Sequence, residues 1–210
     1  MSSLVIIDSA CANLNSIYKA AAKADLSPVI SDDPQQISNA DAIIFPGVGS
    51  FAHASGIIES RGLTKALLAA ISRNIPFLGI CLGMQLLFSE SEETGENLTD
   101  VKGLDVIAGK ARRFPDGLPV PHVGWNQVEP VKDNSLFEGL GKDTFFYFTH
   151  SYYVQPDIKE NTLALTEYGF SFTSAVNIGN LYGVQFHPEK SGPAGLRLLS
   201  NFGKIIADQR

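Results

Sequence analysis

Short apolar segments alternate with segments of helical periodicity through the first half of the chain. Apolar runs bounded by turn residues are typical of buried strands, and here they predict strands at residues 4–8, 29–30, 42–45 and 76–80. Apolar residues that recur every three or four positions predict helices at residues 13–23, 63–73 and 82–88. This alternation indicates a mostly parallel sheet with helices on both faces.

The second half of the chain is richer in predicted strands. Their apolar patterns lie around residues 106–113, 123–128, 144–148, 162–167, 171–177 and 181–186. A closing helix is predicted at residues 193–206, with Pro193 in its first turn. We expect an α/β fold with an open mixed, mostly parallel sheet flanked by helices. No repeat or flexible linker interrupts the pattern, so residues 1–210 are predicted to form a single domain.

Composition and charge exclude several classes of partner. The chain has 16 Lys and Arg against 22 Asp and Glu, for a net charge of −6, so nothing indicates a basic surface for nucleic acid. The longest apolar runs fall short of the roughly 20 residues that a membrane helix needs. We therefore expect neither a nucleic-acid nor a membrane partner.

The two cysteines and four histidines also limit the chemistry. Cys11 and Cys81 fit neither a disulfide framework nor a paired-cysteine zinc site, which indicates a reducing, cytoplasmic compartment. None of the histidines has the spacing of a recurrent metal motif. No metal and no cofactor are predicted.

The most informative segment is a Gly-x-Cys-x-Gly turn between a predicted strand and a predicted helix. Gly79 and Gly83 flank Cys81 as in a nucleophile elbow, where glycines remove side chains that would clash with neighbouring elements. The start of a helix also favours the thiolate, and the Leu82 N–H is a natural oxyanion donor. A lone cysteine is more often a small buried apolar residue, so the thiol needs a base to count as a nucleophile.

A base and a carboxylate follow the strand predicted at residues 181–186. His187 could meet Cys81 at the carboxyl edge of a parallel sheet, and Glu189 could hold the distal ring nitrogen. Alone, these two residues would indicate a surface loop. With Cys81 they form a plausible catalytic triad.

Two further segments have competing interpretations. The glycine-rich segment at residues 45–50 is either an ordinary tight turn or a backbone that presents an N–H to an oxyanion. The acidic run of Glu90, Glu92 and Glu93 is interpreted as a solvated loop within the polar stretch 90–100, with metal binding as the less favoured alternative.

These motifs, in this order, resemble the class I glutamine amidotransferases. Residues 79–85 match the pattern Gly-x-Cys-x-Gly-x-Gln, and residues 187–189 match His-Pro-Glu. Residues 46–49, 121–126, 147–152 and 183–191 resemble the members that serve histidine biosynthesis, and 121–126 discriminates best. The resemblance covers essentially the whole chain.

The resemblance implies a reaction and a set of site residues. Cys81 would attack the glutamine carboxamide, His187 would transfer the proton, and Glu189 would orient the histidine. Four positions would hold glutamine: Gln85, Ser151, Tyr152 and Gly49. The oxyanion donors would be the N–H groups of Leu82 and of the segment Val48 to Gly49.

The same resemblance implies a partner. These family members pass ammonia to a cyclase subunit with a (β/α)₈ barrel, and they are generally active only with it. The positions that match the interface or its gate are Asn13, Trp125, Asn126, Tyr147 and Lys190. For Trp125, a half-buried structural role is the plain alternative.

One loop departs from the family pattern. Members usually have Asp-Tyr-Gly-x-Gly-Asn after the first strand, whereas Ala10 and Ala12 stand here in place of both glycines. If either position requires a positive φ, alanine is strained there. The conformation of this loop, and its docking, is therefore open.

Three other functions stay open. The chain could be the glutaminase subunit of another synthase, such as one for pyridoxal phosphate or anthranilate, although residues 121–126 argue against it. A stand-alone γ-glutamyl hydrolase would use the same triad without a partner. A binding subunit without turnover is disfavoured because all three reactive residues are present.

Overall fold

The computed structural model describes residues 3–93 and 101–209. The first half contains β1 (Leu4–Ile7), α1 (Leu14–Lys23), β2 (Pro28–Ser31), α2 (Pro34–Ser38), β3 (Ala42–Gly47), α3 (Phe51–Ser60), α4 (Leu63–Ser72), β4 (Phe77–Cys81), α5 (Leu82–Gln85) and β5 (Phe88–Ser91). The second half contains β6 (Val101–Lys102), β7 (Ile107–Arg113), β8 (His122–Gln127), β9 (Glu129–Pro130), β10 (Phe145–His150), β11 (Tyr152–Pro156), β12 (Thr162–Glu167), β13 (Ser171–Ile178), β14 (Leu181–Val184) and α6 (Gly192–Asp208).

The strands form one large mixed sheet and a separate two-stranded ribbon. The order along the large sheet is β2-β1-β3-β4-β14-β13-β11-β7-β5-β6, with β12 and β9 attached beside β13. The strands from β2 to β14 in this order are parallel, and β14, β13, β11 and β7 then pair antiparallel. Strands β8 and β10 pair antiparallel as the β8–β10 ribbon. The α/β class, the parallel first half and the β-rich second half are confirmed.

Both faces of the parallel half are buried, which explains its continuous apolar strands. In β1, Leu4 and Ile6 pack in the core layer that includes residues of α1 and α6. Val5 and Ile7 point to the opposite face and pack with residues of α2, α3 and α4. Successive side chains of a strand alternate between faces, so one apolar run builds two core layers.

The helix predicted at residues 82–88 is wrong in its second half. Helix α5 ends at Gln85, and Phe88–Ser91 forms β5. The Leu87 carbonyl accepts hydrogen bonds from the N–H groups of Val106 and Ile107, each at 2.9 Å, and Phe88 pairs with Ile107. A short apolar run does not distinguish helix from strand, and pairing with the distant β7 decides it.

Several elements were not predicted from the sequence, among them α2 (Pro34–Ser38), α3 (Phe51–Ser60) and β11 (Tyr152–Pro156). Helix α2 is only five residues long, while α3 contains Gly56 in its interior, which weakens a helical pattern. Strand β11 is held by its pairing with β7 and β13.

Within residues 3–93 and 101–209, no helix has the length and apolarity required to cross a membrane.

Candidate active site

The thiol lies on a strained turn at the carboxyl end of the parallel strands. Cys81 ends β4 with φ 54° and ψ −112°, a conformation that a residue with a Cβ adopts only at a cost in free energy. A Cβ on Gly83 would lie 1.8 Å from the carbonyl oxygen of Phe45, and one on Gly79 would lie 2.9 Å from the backbone of Met84. This agrees with the interpretation of the two glycines from the sequence, because the structure leaves no room for a Cβ at position 79 or 83.

A histidine and a carboxylate lie just beyond the neighbouring strand. Strand β14 pairs with β4 in parallel, and His187 and Glu189 follow it at the same edge of the sheet. His187 Nδ1 lies 2.8 Å from Glu189 Oε1, with side chains 2% and 7% exposed. The histidine is also fixed through its backbone, because its N–H donates to the carbonyl of Tyr147 at 2.9 Å.

Cys81 and Glu189 together favour the charged form of this histidine. Burial lowers the pKa of His187, but its interactions with Cys81 and Glu189 outweigh burial and raise the pKa to about 9. His187 Nε2 nevertheless has no aligned hydrogen-bond partner within the described part of the chain. The thiol is therefore close enough to raise the pKa of the ring, although no hydrogen bond of good geometry joins it to Nε2.

A small cavity opens beside the thiol. Its volume is about 280 Å³, and its walls include every residue that the family resemblance implies for glutamine and the oxyanion: Val48, Gly49, Leu82, Gln85, Ser151 and Tyr152. The same walls contain Cys81, Glu93, Pro121, Thr149 and His150. A cavity of this size suits a ligand no larger than an amino acid. A larger depression of about 940 Å³ lies elsewhere and contains none of the three triad residues.

Side-chain amides connect the wall of the cavity to the sulfur. Gln85 Nε2 donates to the Tyr152 carbonyl at 3.0 Å and to Gln185 Oε1 at 3.1 Å. Gln185 Nε2 in turn donates to Cys81 Sγ at 3.6 Å. Gln85 and Gln185 are both buried, so their orientation is set by these partners rather than by water.

The expected oxyanion donors differ in whether their N–H groups already donate a hydrogen bond within the protein. The N–H of Leu82 lies at the first position of α5, where a helix provides no partner. The N–H of Val48 donates instead to the Cys11 carbonyl at 2.6 Å. Gly49 has φ 98°, which glycine adopts without strain, so the segment has a residue at which its backbone can rotate.

The interpretation of the acidic run as a solvated loop is wrong for Glu93. For Glu90 only the loop is wrong, because its side chain is 47% exposed. Glu90 belongs to β5. Glu93 Oε2 accepts the Phe51 N–H at 2.7 Å, and its side chain lines the cavity. Burial, followed by the charge of Glu93, raises the pKa of Tyr152, which lines the same cavity. The rest of the run, residues 94–100, lies outside the described residues.

Four of the expected interface positions lie on or beside one surface. Trp125 on β8 is 57% exposed, and its ring meets that of Tyr147 on β10 edge-on at 6.2 Å. Lys190 Nζ lies 5.7 Å from the centre of the Tyr147 ring. Asn126 is also on β8, but its side chain donates inward to His122 Nε2 at 3.2 Å.

The fifth position, Asn13, lies in the loop that departs from the family pattern. Its side chain caps α1 by accepting the Ser16 N–H at 3.3 Å, as the sequence predicts. Ala10 has φ 57°, so one of the two alanines occupies a conformation that favours glycine. Ala12 does not have a positive φ.

Comparisons with known proteins identify the family of this chain. The family Glutamine amidotransferase class-I matches residues 5–206. Imidazole glycerol phosphate synthase subunit HisH of Moorella thermoacetica is 46% identical over 206 residues, covering 98% of this chain and 96% of the relative. The HisH subunit of Methanothermobacter thermautotrophicus is 46% identical over 203 residues, covering 97% and 98%.

Solved structures share the fold at low identity. A glutamine amidotransferase has a TM-score of 0.74 at 18% identity, covering 97% of this chain and 98% of the other. PurLQS from Thermotoga maritima has a TM-score of 0.71 at 16% identity, covering 100% of this chain and 99% of the matched one. From its sequence relatives and its fold, the chain belongs to the class-I glutamine amidotransferase family.

Proposed function

We propose that this chain is the glutaminase subunit of imidazole glycerol phosphate synthase and that it hydrolyses glutamine with Cys81, His187 and Glu189. The observation that carries the proposal is the strained Cys81 elbow, which opens on a cavity of amino-acid size at the sheet edge where the His187–Glu189 pair is buried. The HisH relatives support the choice of synthase. Residues 1–210 act as one amidotransferase domain.

The reaction has two halves. Cys81 Sγ attacks the carboxamide carbon while His187 accepts the thiol proton, and Glu189 holds the ring and stabilises the imidazolium. The tetrahedral intermediate collapses, the C–N bond breaks, and His187 returns the proton to the departing ammonia. Water then attacks the glutamyl thioester with His187 as base, which releases glutamate and restores the thiol.

Stabilisation of the oxyanion requires a backbone movement. The Leu82 N–H is available, but the Val48 N–H must leave the Cys11 carbonyl before it can serve the oxyanion. One oxyanion donor contributes about 10²- to 10³-fold in rate. The isolated glutaminase is therefore expected to hydrolyse glutamine slowly until its partner releases this hydrogen bond.

Substrate recognition rests on the opposite walls of the cavity. Gln85, Ser151, Tyr152 and the backbone of Gly49 surround the bound glutamine. Glu93 adds a carboxylate beside Tyr152, which suits the substrate's α-ammonium group. This acidic contact selects glutamine, with its free α-ammonium group, over a glutamine residue within a peptide chain.

The partner is a (β/α)₈-barrel cyclase that consumes the ammonia in a cytoplasmic compartment. The outer face of the β8–β10 ribbon supports docking, because Val123, Trp125 and Phe145 are each at least half exposed there. Asn13, Asn126, Tyr147 and Lys190 border this interface. Large apolar side chains in a cluster typically mark a protein contact. Both cysteines are free thiols, which supports a reducing, cytoplasmic compartment.

The decisive assay compares glutamine and ammonia as nitrogen sources. The assembled synthase with Cys81→Ala should lose glutamine-dependent turnover and keep ammonia-dependent turnover, since the cyclase chemistry does not use the thiol. The isolated glutaminase should release glutamate slowly, and the cyclase with its acceptor should accelerate release. Retained glutamine turnover in Cys81→Ala would reject the nucleophile, and full activity of the isolated chain would favour the γ-glutamyl hydrolase.

A further inference from the structure

Two buried histidines outside the triad lie on the inner face of the β8–β10 ribbon. His122 and His150 are opposite each other in the register of β8 and β10, and they are only 4% and 6% exposed. His122 Nδ1 lies 3.0 Å from His150 Nε2. His150 also lines the cavity beside Cys81. No group of three or more potential metal ligands occurs among the described residues. The contact between the two rings is a hydrogen bond.

The contact between Asn126 and His122 determines which ring nitrogen of His122 carries the proton. Asn126 Nδ2 lies 2.9 Å from the carbonyl oxygen of Glu167, and Asn126 Oδ1 accepts the Gln127 N–H at 2.8 Å. The amide orientation is thereby fixed, so the second hydrogen on Nδ2 points to His122 Nε2 at 3.2 Å. His122 Nε2 is an acceptor, and in a neutral ring the proton must then be on Nδ1.

The inner end of the pair leads independently to the same arrangement. His150 Nδ1 lies 2.7 Å from the Tyr152 carbonyl oxygen, which can only accept, so the His150 proton is on Nδ1. His150 Nε2 is then an acceptor for His122 Nδ1–H. Both ends require two neutral rings with all donors pointing from Asn126 towards the cavity.

The environment keeps both rings neutral. Burial lowers the pKa of His122 to about 4. Burial also lowers the pKa of His150, to about 3, and the charges of His122 and His187 act in the same direction against the opposing hydrogen bond to Tyr152. The directed arrangement of protons therefore persists at neutral pH.

The chain of hydrogen bonds continues to the reactive sulfur. The Tyr152 carbonyl accepts from His150 and also from Gln85 Nε2 at 3.0 Å. Gln85 connects through Gln185 to Cys81 Sγ. The position of the His150 ring thus sets the position of a carbonyl that orients Gln85 against the thiol.

We propose that His122 and His150 are a positioning pair that aligns the Tyr152–Gln85 wall of the glutamine cavity with Cys81 and couples it to the outer face of the β8–β10 ribbon. This inference rests on the glutaminase function proposed above. The same strand β10 carries Tyr147, whose ring belongs to the outer face and whose carbonyl holds the His187 N–H at 2.9 Å. A partner that shifts β10 acts on the cavity wall and on the triad histidine together.

Three variants in the assembled synthase separate positioning from folding. His150→Phe keeps a ring among the aromatic neighbours but removes both hydrogen bonds. His150→Asn keeps a donor near the position of Nδ1 and is the rescue variant. His122→Phe keeps the stacking on Phe148 and Tyr168, at 4.9 and 4.0 Å between centroids. It removes the donor to His150 and also the acceptor for Asn126 Nδ2.

The kinetic readout is the KM for glutamine against kcat. For His150→Phe we expect kcat/KM to fall about 10- to 100-fold, mainly through a higher KM, because the misaligned residues line the cavity while the His187–Glu189 contact remains. His122→Phe should change KM in the same direction by less, and His150→Asn should recover most of the loss. A purely structural role would instead lower the fraction of active enzyme, and with it kcat, at constant KM.

The second readout is spectroscopic. Nitrogen-15 shifts of the imidazole rings in the wild-type synthase should report Nδ1–H on both His122 and His150. An Nε2–H tautomer on either ring, or unchanged KM and kcat in His150→Phe, would overturn the positioning pair while leaving the glutaminase intact. Absence of glutamine-dependent turnover in the wild-type synthase would instead overturn the function on which the pair depends.

Discussion

Backbone strain at Cys81, the proposed nucleophile, predicts an unusual order of stability among substitutions of this residue. The residue has φ 54° and ψ −112°, and a conformation of this kind costs about 1–3 kcal/mol for a side chain with a Cβ. Cys81→Ala keeps the Cβ and the strain. Cys81→Gly removes both, so the difference between the two variants contains the strain energy.

A matched control isolates that energy. Replacing a buried alanine in a strand with glycine loses about 0.5–1 kcal/mol in backbone entropy and about 0.8 kcal/mol of methyl burial, or roughly 1.5 kcal/mol together. Ala42 in β3 is fully buried and lacks a positive φ, so Ala42→Gly should show this ordinary cost. The same change at position 81, from alanine to glycine, should be more favourable than the control by about 1–3 kcal/mol.

Urea denaturation measures both differences. We expect Cys81→Gly to lie between about 0.5 kcal/mol less stable and about 1.5 kcal/mol more stable than Cys81→Ala. Ala42→Gly should be about 1.5 kcal/mol less stable than wild type, with similar m-values throughout. Equal losses at the two positions would refute the interpretation of the elbow as a strained turn. Neither variant of Cys81 should hydrolyse glutamine.

Three further predictions concern the triad, the elbow and the first loop. The pKa of His187 is raised to about 9, so its contribution to the free energy of unfolding is complete below the pKa of the unfolded chain, near 6.5, and is lost as the pH rises through about 9. The urea midpoint measured against pH should fall over this range. The His187→Gln variant should not show this fall. Gly83→Ala places a Cβ 1.8 Å from the Phe45 carbonyl oxygen, so it should lower stability by more than about 2 kcal/mol and reduce glutaminase activity. Gly56→Ala has open space around the new Cβ and should be neutral or stabilising. Equal melting temperatures for the two variants would contradict the packing argument. Ala10→Gly relieves a φ of 57° and should leave the melting temperature unchanged or higher, and a large decrease would show that alanine is not strained there.

Local signals in the sequence are sufficient to predict that Cys81, His187 and Glu189 lie at one edge of the sheet. The Gly79, Cys81 and Gly83 spacing reflects a close approach of backbones at the elbow, and the position of His187 after an apolar strand reflects the common edge of parallel strands. Each depends on residues that are near one another in sequence or on a general property of parallel sheets. For this reason the sequence predicts the common sheet edge, and their roles in the reaction stay a prediction.

Other features depend on contacts between distant segments. The hydrogen bond from Val48 to Cys11 joins two loops, and no local pattern indicates which carbonyl an N–H will reach. Glu93 resembles a solvated loop residue until Phe51 donates to it across the fold. The proton order of His122 and His150 likewise depends on Glu167 and Tyr152, which only the folded chain brings together.

Covalent trapping of the thiol tests the central claim most directly. A diazo-ketone analogue of glutamine should alkylate the assembled synthase once, and mass spectrometry of its peptides should place the adduct on Cys81, leave Cys11 unmodified, and match the loss of glutamine-dependent turnover. Full loss of turnover with the adduct on another residue, or a Cys81 adduct on an enzyme that still hydrolyses glutamine, would contradict it.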